Sequence, residues 1–127
     1  MHGPTFMANP LACAAAIGSL DLLEKNDACE KTVHIQKVLE EGLWELSRLK
    51  GVVRDVRVLG ACGVVELKFP VDMVRMQAFL VNHGVWLRPF GNIIYIYPPF
   101  IISDDELKKC IEAVKSLVYR LERGENY

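Results

Sequence analysis

Residues 52–69 read VVRDVRVLGACGVVELKF, and the spacing of apolar residues in that stretch decides the fold class. Val56 and Val58 alternate with Asp55 and Arg57, as in a strand that buries one face. Gly60-Ala61-Cys62-Gly63 reads as a glycine-flanked turn, and Val64 to Phe69 returns as the second arm of a hairpin, closed by Pro70. Strands joined this tightly run antiparallel.

On either side of the hairpin the period changes to that of a helix. Upstream, Ile35, Val38, Leu39, Leu43, Leu46 and Leu49 recur at three and four, which predicts an amphipathic helix from Cys29 to about Lys50. An earlier helix starts at Pro10, where a missing N–H costs nothing, with Asn9 as its cap. Its Ala14, Ala15 and Ala16 have little bulk and suit close packing, and Asn26-Asp27 breaks it. Downstream, Asp72 caps a short helix whose Val74, Phe79 and Leu80 point inward and which stops at Gly84. Val85–Arg88 and Ile93–Tyr97 read as two further strands around a Gly91-Asn92 turn. Ser103-Asp104-Asp105-Glu106 forms a capping box for a closing helix that carries Leu107, Cys110, Ile111, Val114, Leu117, Val118 and Leu121. The predicted fold is α+β, a two-layer sandwich with a small, mainly antiparallel sheet and helices on one face.

Composition narrows the function classes. The 127 residues fit one domain, and 51% hydrophobic content supports a sizeable core. A formal charge of −1 with dispersed basic residues argues against nucleic acid and acidic membranes as partners. No apolar run approaches the ~20 residues a membrane helix needs. Cys13, Cys29, Cys62 and Cys110 are widely spaced, with no C-x-x-C and no histidine at ligand spacing, so no metal site is expected. The cysteines point to a cytoplasmic protein with reduced, mostly buried thiols.

Few residues suggest chemistry. His2, His34 and His83 have no readable nucleophile or carboxylate partner, and the latter two read as solvated surface. Phosphate-binding glycine loops are absent. In Gly3-Pro4-Thr5 an exposed, fixed backbone precedes a hydroxyl, which is the equipment of a phosphate site and also of an ordinary loop. Arg88, between Trp86-Leu87 and Pro89-Phe90-Gly91, must find an anion or reach solvent. An internal salt bridge, a side chain that snorkels to solvent, or a ligand would satisfy it.

The stretches HGPTFMANPLACAAA (2–16), DVRVLGACGVVEL (55–67) and GVWLRPFGNIIYIYPPFIIS (84–103) resemble the carboxy-terminal part of the class III, fold-type I, pyridoxal-phosphate-dependent aminotransferases. Gly3-Pro4-Thr5-Phe6-Met7 is similar to the branch serving biotin biosynthesis, whose enzymes move an amino group from S-adenosylmethionine, or from lysine in some members, to 8-amino-7-oxononanoate, giving 7,8-diaminononanoate. Ala8 stands where a glycine is common, a departure of one methyl.

The resemblance implies that residues 1–10 are a remnant of a large cofactor-binding domain and residues 11–127 the C-terminal small domain. It implies pyridoxal 5′-phosphate as cofactor and a homodimer with shared active sites. Pro4 and Thr5 would meet the phosphate of the cofactor in the neighbouring subunit. Gly3 would line the substrate pocket, Arg88 would receive the carboxylate of the keto acid, and Tyr95 would stand in the same pocket. In the family the lysine that bonds the cofactor precedes the segment matching Met1, as does the aspartate at its pyridine nitrogen. Lys25, Lys31, Lys37, Lys50, Lys68, Lys108, Lys109 and Lys115 stand in no matching context, so this chain is expected to be an inactive C-terminal fragment. The alternatives are another class III enzyme, of ornithine, acetylornithine or ω-amino acid type, or a stand-alone ligand-binding or dimerisation module.

Overall fold

A computed structural model of the chain describes residues 7–125. They form two compact units that divide between Glu30 and Lys31.

The first unit is built on helix α1 (Pro10–Lys25). The Asn9 side chain accepts hydrogen bonds from the Leu11 and Ala12 amides, and Pro10 occupies the first turn, as expected. No residue of α1 is buried. Immediately before the cap, Ala8 sits at φ 58°, in the left-handed region. The departure noted above is therefore one of backbone conformation, because a side chain there costs ~1–2 kcal/mol that glycine escapes.

Helix α2 (Ala28–Leu43) follows, then a 3-10 helix (Trp44–Arg48) in place of the last α-helical turns expected up to Lys50. The hairpin is present as β1 (Val53–Leu59) and β2 (Cys62–Leu67), then α3 (Met73–Asn82), β3 (Ile93–Ile96) and α4 (Asp104–Glu122). The sheet order is β1-β2-β3 and both pairings are antiparallel. The two-layer α+β reading holds, with three strands among the described residues.

A bulge between Val53 and Asp55 explains how Val53 and Val56, three apart, both face inward. With Val65 and Leu67 of β2 and Ile94 and Ile96 of β3 they form the inner face. Ile35, Leu39 and Leu43 of α2, Met76, Phe79 and Leu80 of α3, and Leu107, Ile111 and Leu117 of α4 close one continuous core on it. Asp55, Arg57, Glu66 and Tyr95 lie on the outer face.

The hairpin turn is shorter than the sequence suggests. Leu59 pairs with Cys62, so only Gly60 and Ala61 turn, with Gly60 at φ 55° and its amide held by Gln36 Oε1 at 2.8 Å. Gly63 belongs to β2 and serves packing. A Cβ there would stand 2.9 Å from Leu43 Cδ1 and 3.3 Å from Leu39 Cδ2, so α2 lies directly on the strand.

Three expectations need correction. Val74 does not point inward; it is 80% exposed, because it lies about 200° around the helix from the buried Met76. Val85–Arg88 forms no strand. The thiols are free but not mostly buried: Cys13 and Cys29 are exposed, and Cys62 and Cys110 are half-buried. Cys62 falls on the outward step of β2, and Cys110 at the margin of the buried stripe of α4, where burial pushes its thiol pKa up.

Candidate functional site

The segment 85–90 is extended, and its burial alternates although it pairs with no strand. Val85, Leu87 and Pro89 face the interior, while Trp86, Arg88 and Phe90 face out. Period two is thus preserved without a ladder. Pro89 holds φ near −65°, tighter than the −120° to −140° or so of a sheet, and pairing begins only at the Phe90–Ile93 bridge.

Other bonds hold this segment in place of a strand partner. The Val85 amide donates to the Leu80 carbonyl at the end of α3, and the Val71 amide to the Gly91 carbonyl. Asn92 is clamped on β2: its carbonyl accepts from the Leu67 amide at 2.7 Å, and its Nδ2 donates to the Leu67 carbonyl at 3.0 Å and to Glu66 Oε1 at 3.3 Å. Glu66 also accepts from Arg57 Nη1 at 2.6 Å and Arg54 Nη1 at 3.3 Å. The Arg57 guanidinium holds the Glu66 carboxyl below the usual range. Arg88 therefore projects from a backbone fixed on both sides.

Arg88 lines an open groove of about 420 Å³ with Met73, Val74 and Gln77 of α3 and Trp86 and Pro89 of its own segment. No carboxylate is among them. Arg88 makes no hydrogen bond or ion pair with any described residue, which removes the salt-bridge alternative within them. A guanidinium on an apolar wall is suited to a planar, two-oxygen anion. A larger groove of about 720 Å³ lies elsewhere, lined by Glu40, Glu41, Trp44, Val56, Arg57 and Val58. Its Arg57 is already held by Asp55 and Glu66, so the smaller groove is the better anion site.

Tyr95 is half-buried on the outer face of β3, in register with Val64, and does not line the Arg88 groove. Gly3, Pro4 and Thr5 lie outside the described residues. His34 is exposed and bonds Asp104 across α2 and α4 at 2.8 Å, while His83 caps α3 and stacks on Phe79. The sequence reading missed Gln77, which follows the buried Met76 on an otherwise ordinary amphipathic helix. No periodicity singles it out.

The described residues do not fit the cofactor. A lysine that bonds it must lose its proton with ease. Lys115 is half-buried but paired with Glu45 and Glu112, which push its pKa up, Lys31 is half-buried on α2 and lines neither groove, and Lys25, Lys37, Lys50, Lys68, Lys108 and Lys109 are exposed. Among the described residues no group of histidine, cysteine and acidic side chains could hold a metal ion, and no helix is long and apolar enough to cross a membrane.

The profile of the family described as aminotransferase class-III matches residues 1–118. The chain belongs to the class-III aminotransferases. This class-III aminotransferase chain is 51% identical over 115 residues to the adenosylmethionine-8-amino-7-oxononanoate aminotransferase of Buchnera aphidicola subsp. Schizaphis graminum, covering 91% of the chain and 26% of that protein. It is 42% identical to the protein of the same name from Corynebacterium glutamicum, over 93% of the chain and 28% of the relative. It thus spans about a quarter of the length of these curated relatives. Among solved structures, an amine transaminase from an uncultivated Pseudomonas species, in its PLP-bound form, superposes with a TM-score of 0.83 at 30% identity, over 94% of this chain and 30% of that one. The small antiparallel α+β unit of this class-III aminotransferase is accordingly a fold-type I aminotransferase element.

Proposed function

We propose that the chain is the C-terminal portion of a biotin-pathway aminotransferase that transfers an amino group from S-adenosylmethionine to 8-amino-7-oxononanoate. The observation that carries this reading is 42–51% identity, over nine-tenths of the chain, to proteins bearing that enzyme's name. The unpaired Arg88 in its apolar groove supports a role as receptor for the carboxylate of the keto substrate, with the groove wall beside the adjoining methylenes. Gly3 is assigned to the substrate pocket. Pro4 and Thr5 are assigned to the phosphate of pyridoxal 5′-phosphate held by the neighbouring subunit, so the working enzyme is a cytoplasmic homodimer. Tyr95 lies outside the Arg88 groove and is kept as a substrate-pocket residue on the family resemblance alone.

In this reading the 127-residue chain alone is inactive, because none of its lysines stands in the context of the lysine that bonds the cofactor in the family. Incubating it with pyridoxal phosphate and borohydride should label no single lysine stoichiometrically. The decisive assay gives the full-length enzyme S-adenosylmethionine and 8-amino-7-oxononanoate, with 7,8-diaminononanoate as the expected product. Turnover of acetylornithine or a simple amine instead would assign the chain to another branch of the class.

A further inference from the structure

Arg88 stands four residues ahead of Asn92, and the chain between them has little freedom. The Pro89 ring locks its φ. Phe90 and Ile93 exchange both backbone hydrogen bonds at 2.9 Å, which closes the Gly91-Asn92 turn into one stiff unit. Whatever seats that turn on the sheet also sets where Arg88 leaves the backbone. Asn92 seats it. Its carbonyl accepts from the Leu67 amide at 2.7 Å, and its Nδ2 donates to the Leu67 carbonyl at 3.0 Å and to Glu66 Oε1 at 3.3 Å. The turn itself makes no use of the tolerance of asparagine for left-handed backbone. Gly91 takes the positive φ, 60°, and Asn92 is not among the described residues that share it. What the position uses is the side-chain amide. Its acceptor is braced in turn: Glu66, with a side chain only 18% exposed, takes Arg57 on Oε2 at 2.6 Å and Arg54 on Oε1 at 3.3 Å.

We infer that Asn92 is a positioning residue for Arg88: its side-chain amide, braced by Glu66, fixes the Gly91-Asn92 turn on β2 and so holds the guanidinium where it meets a carboxylate. The inference rests on the reading of Arg88 as the receptor for the keto substrate. A fork that must meet two oxygens at once tolerates little displacement, about 0.5 Å or about 10–20°. Asn92 does not line the Arg88 groove, so its effect on a ligand there passes through Arg88.

The test is a double-mutant cycle in the full-length enzyme. Asn92→Ala removes both side-chain bonds and leaves the backbone bonds of the turn. The Michaelis constant for the keto acid should rise about three- to tenfold, as for loss of a hydrogen bond. The melting temperature should fall a little, which a structural role also predicts, so the cycle decides. In the Arg88→Ala background the same substitution should change the constant less than about twofold, because the residue it positions is gone. Asn92→Ser, a small polar turn residue of shorter reach, serves if the alanine variant does not fold. A merely structural Asn92 gives a lower melting temperature with an unchanged Michaelis constant, or the same rise with and without Arg88, and either result overturns the inference. Arg88→Ala alone separates the two readings. If it raises the Michaelis constant while the Asn92 variants leave it unchanged, only Asn92 is wrongly assigned. If Arg88→Ala leaves it unchanged, the groove is not the carboxylate site and both readings fall.

Discussion

Lys115 Nζ lies 2.8 Å from Glu45 Oε1, tying α4 to the 3-10 helix that leads into the sheet. The same ammonium is 2.8 Å from Glu112, and the Tyr119 hydroxyl donates to Glu45 at 3.2 Å. Hydrogen bonding from Lys115 lowers the Glu45 pKa below its ordinary 4.5, while Glu112 and Glu45 raise that of Lys115 above 10.5. The signs set the window. The Glu45 contribution is complete above about pH 4.5 and is lost as pH falls toward the lowered value; the Lys115 contribution is complete below 10.5 and is lost only at higher pH. Glu45→Gln should cost no more than ~1 kcal/mol at neutral pH, as the carboxylate is largely exposed. It should also flatten the fall in melting temperature between pH 5 and pH 3 or so. An unaltered acid slope in the variant would show that the pair adds nothing.

The contact of Gly63 with Leu43 and Leu39 gives a stability prediction. Gly63→Ala places a methyl 2.9 Å from Leu43 Cδ1, so side chains in a full core must move, at a cost of about 1–3 kcal/mol. Leu43→Ala, a costly truncation by itself, should cost less in the Gly63→Ala background than in the wild type, because it frees the volume the methyl needs. Urea unfolding of the single and double variants measures both steps. A Gly63→Ala protein as stable as wild type would mean that α2 does not press on β2 as described.

Ala8 carries backbone strain that glycine removes. Ala8→Gly should stabilise the start of α1 by roughly 0.5–1 kcal/mol, the left-handed cost less the added chain entropy of glycine. Ala8→Val should act in the other direction. Hydrogen exchange at Cys13 to Ala16, in the first full turn, reports the change. Equal protection in all three proteins would place Ala8 outside the left-handed region.

For Arg88, the absence of a partner among the described residues separates kinetics from stability. In the full-length enzyme Arg88→Ala should lower kcat/KM for the keto acid by about thirty- to a thousandfold, ~2–4 kcal/mol, with the melting temperature nearly unchanged. Arg88→Lys should restore little, since an ammonium lacks the two-pronged geometry. A loss of stability with normal kinetics would assign Arg88 to structure.

Local chemistry was enough to read much of this chain from sequence. The Asn9, Asp72 and Ser103 caps, the hairpin arms, and the 3.6-residue stripes of α2 and α4 each depend on residues a few positions apart, and all are present. Arg88 stood out because a cation in so apolar a stretch is anomalous in any fold. What depended on distant residues was not legible. Gly63 reads as a turn residue until α2 is laid across β2, and the alternation at 85–88 reads as a strand until Pro89 and the Phe90–Ile93 bridge show that no ladder reaches it. Gln77 carries no local signal at all: only packing buries its side-chain nitrogen, because an unpaired donor is defined by what surrounds it and not by its neighbours in sequence.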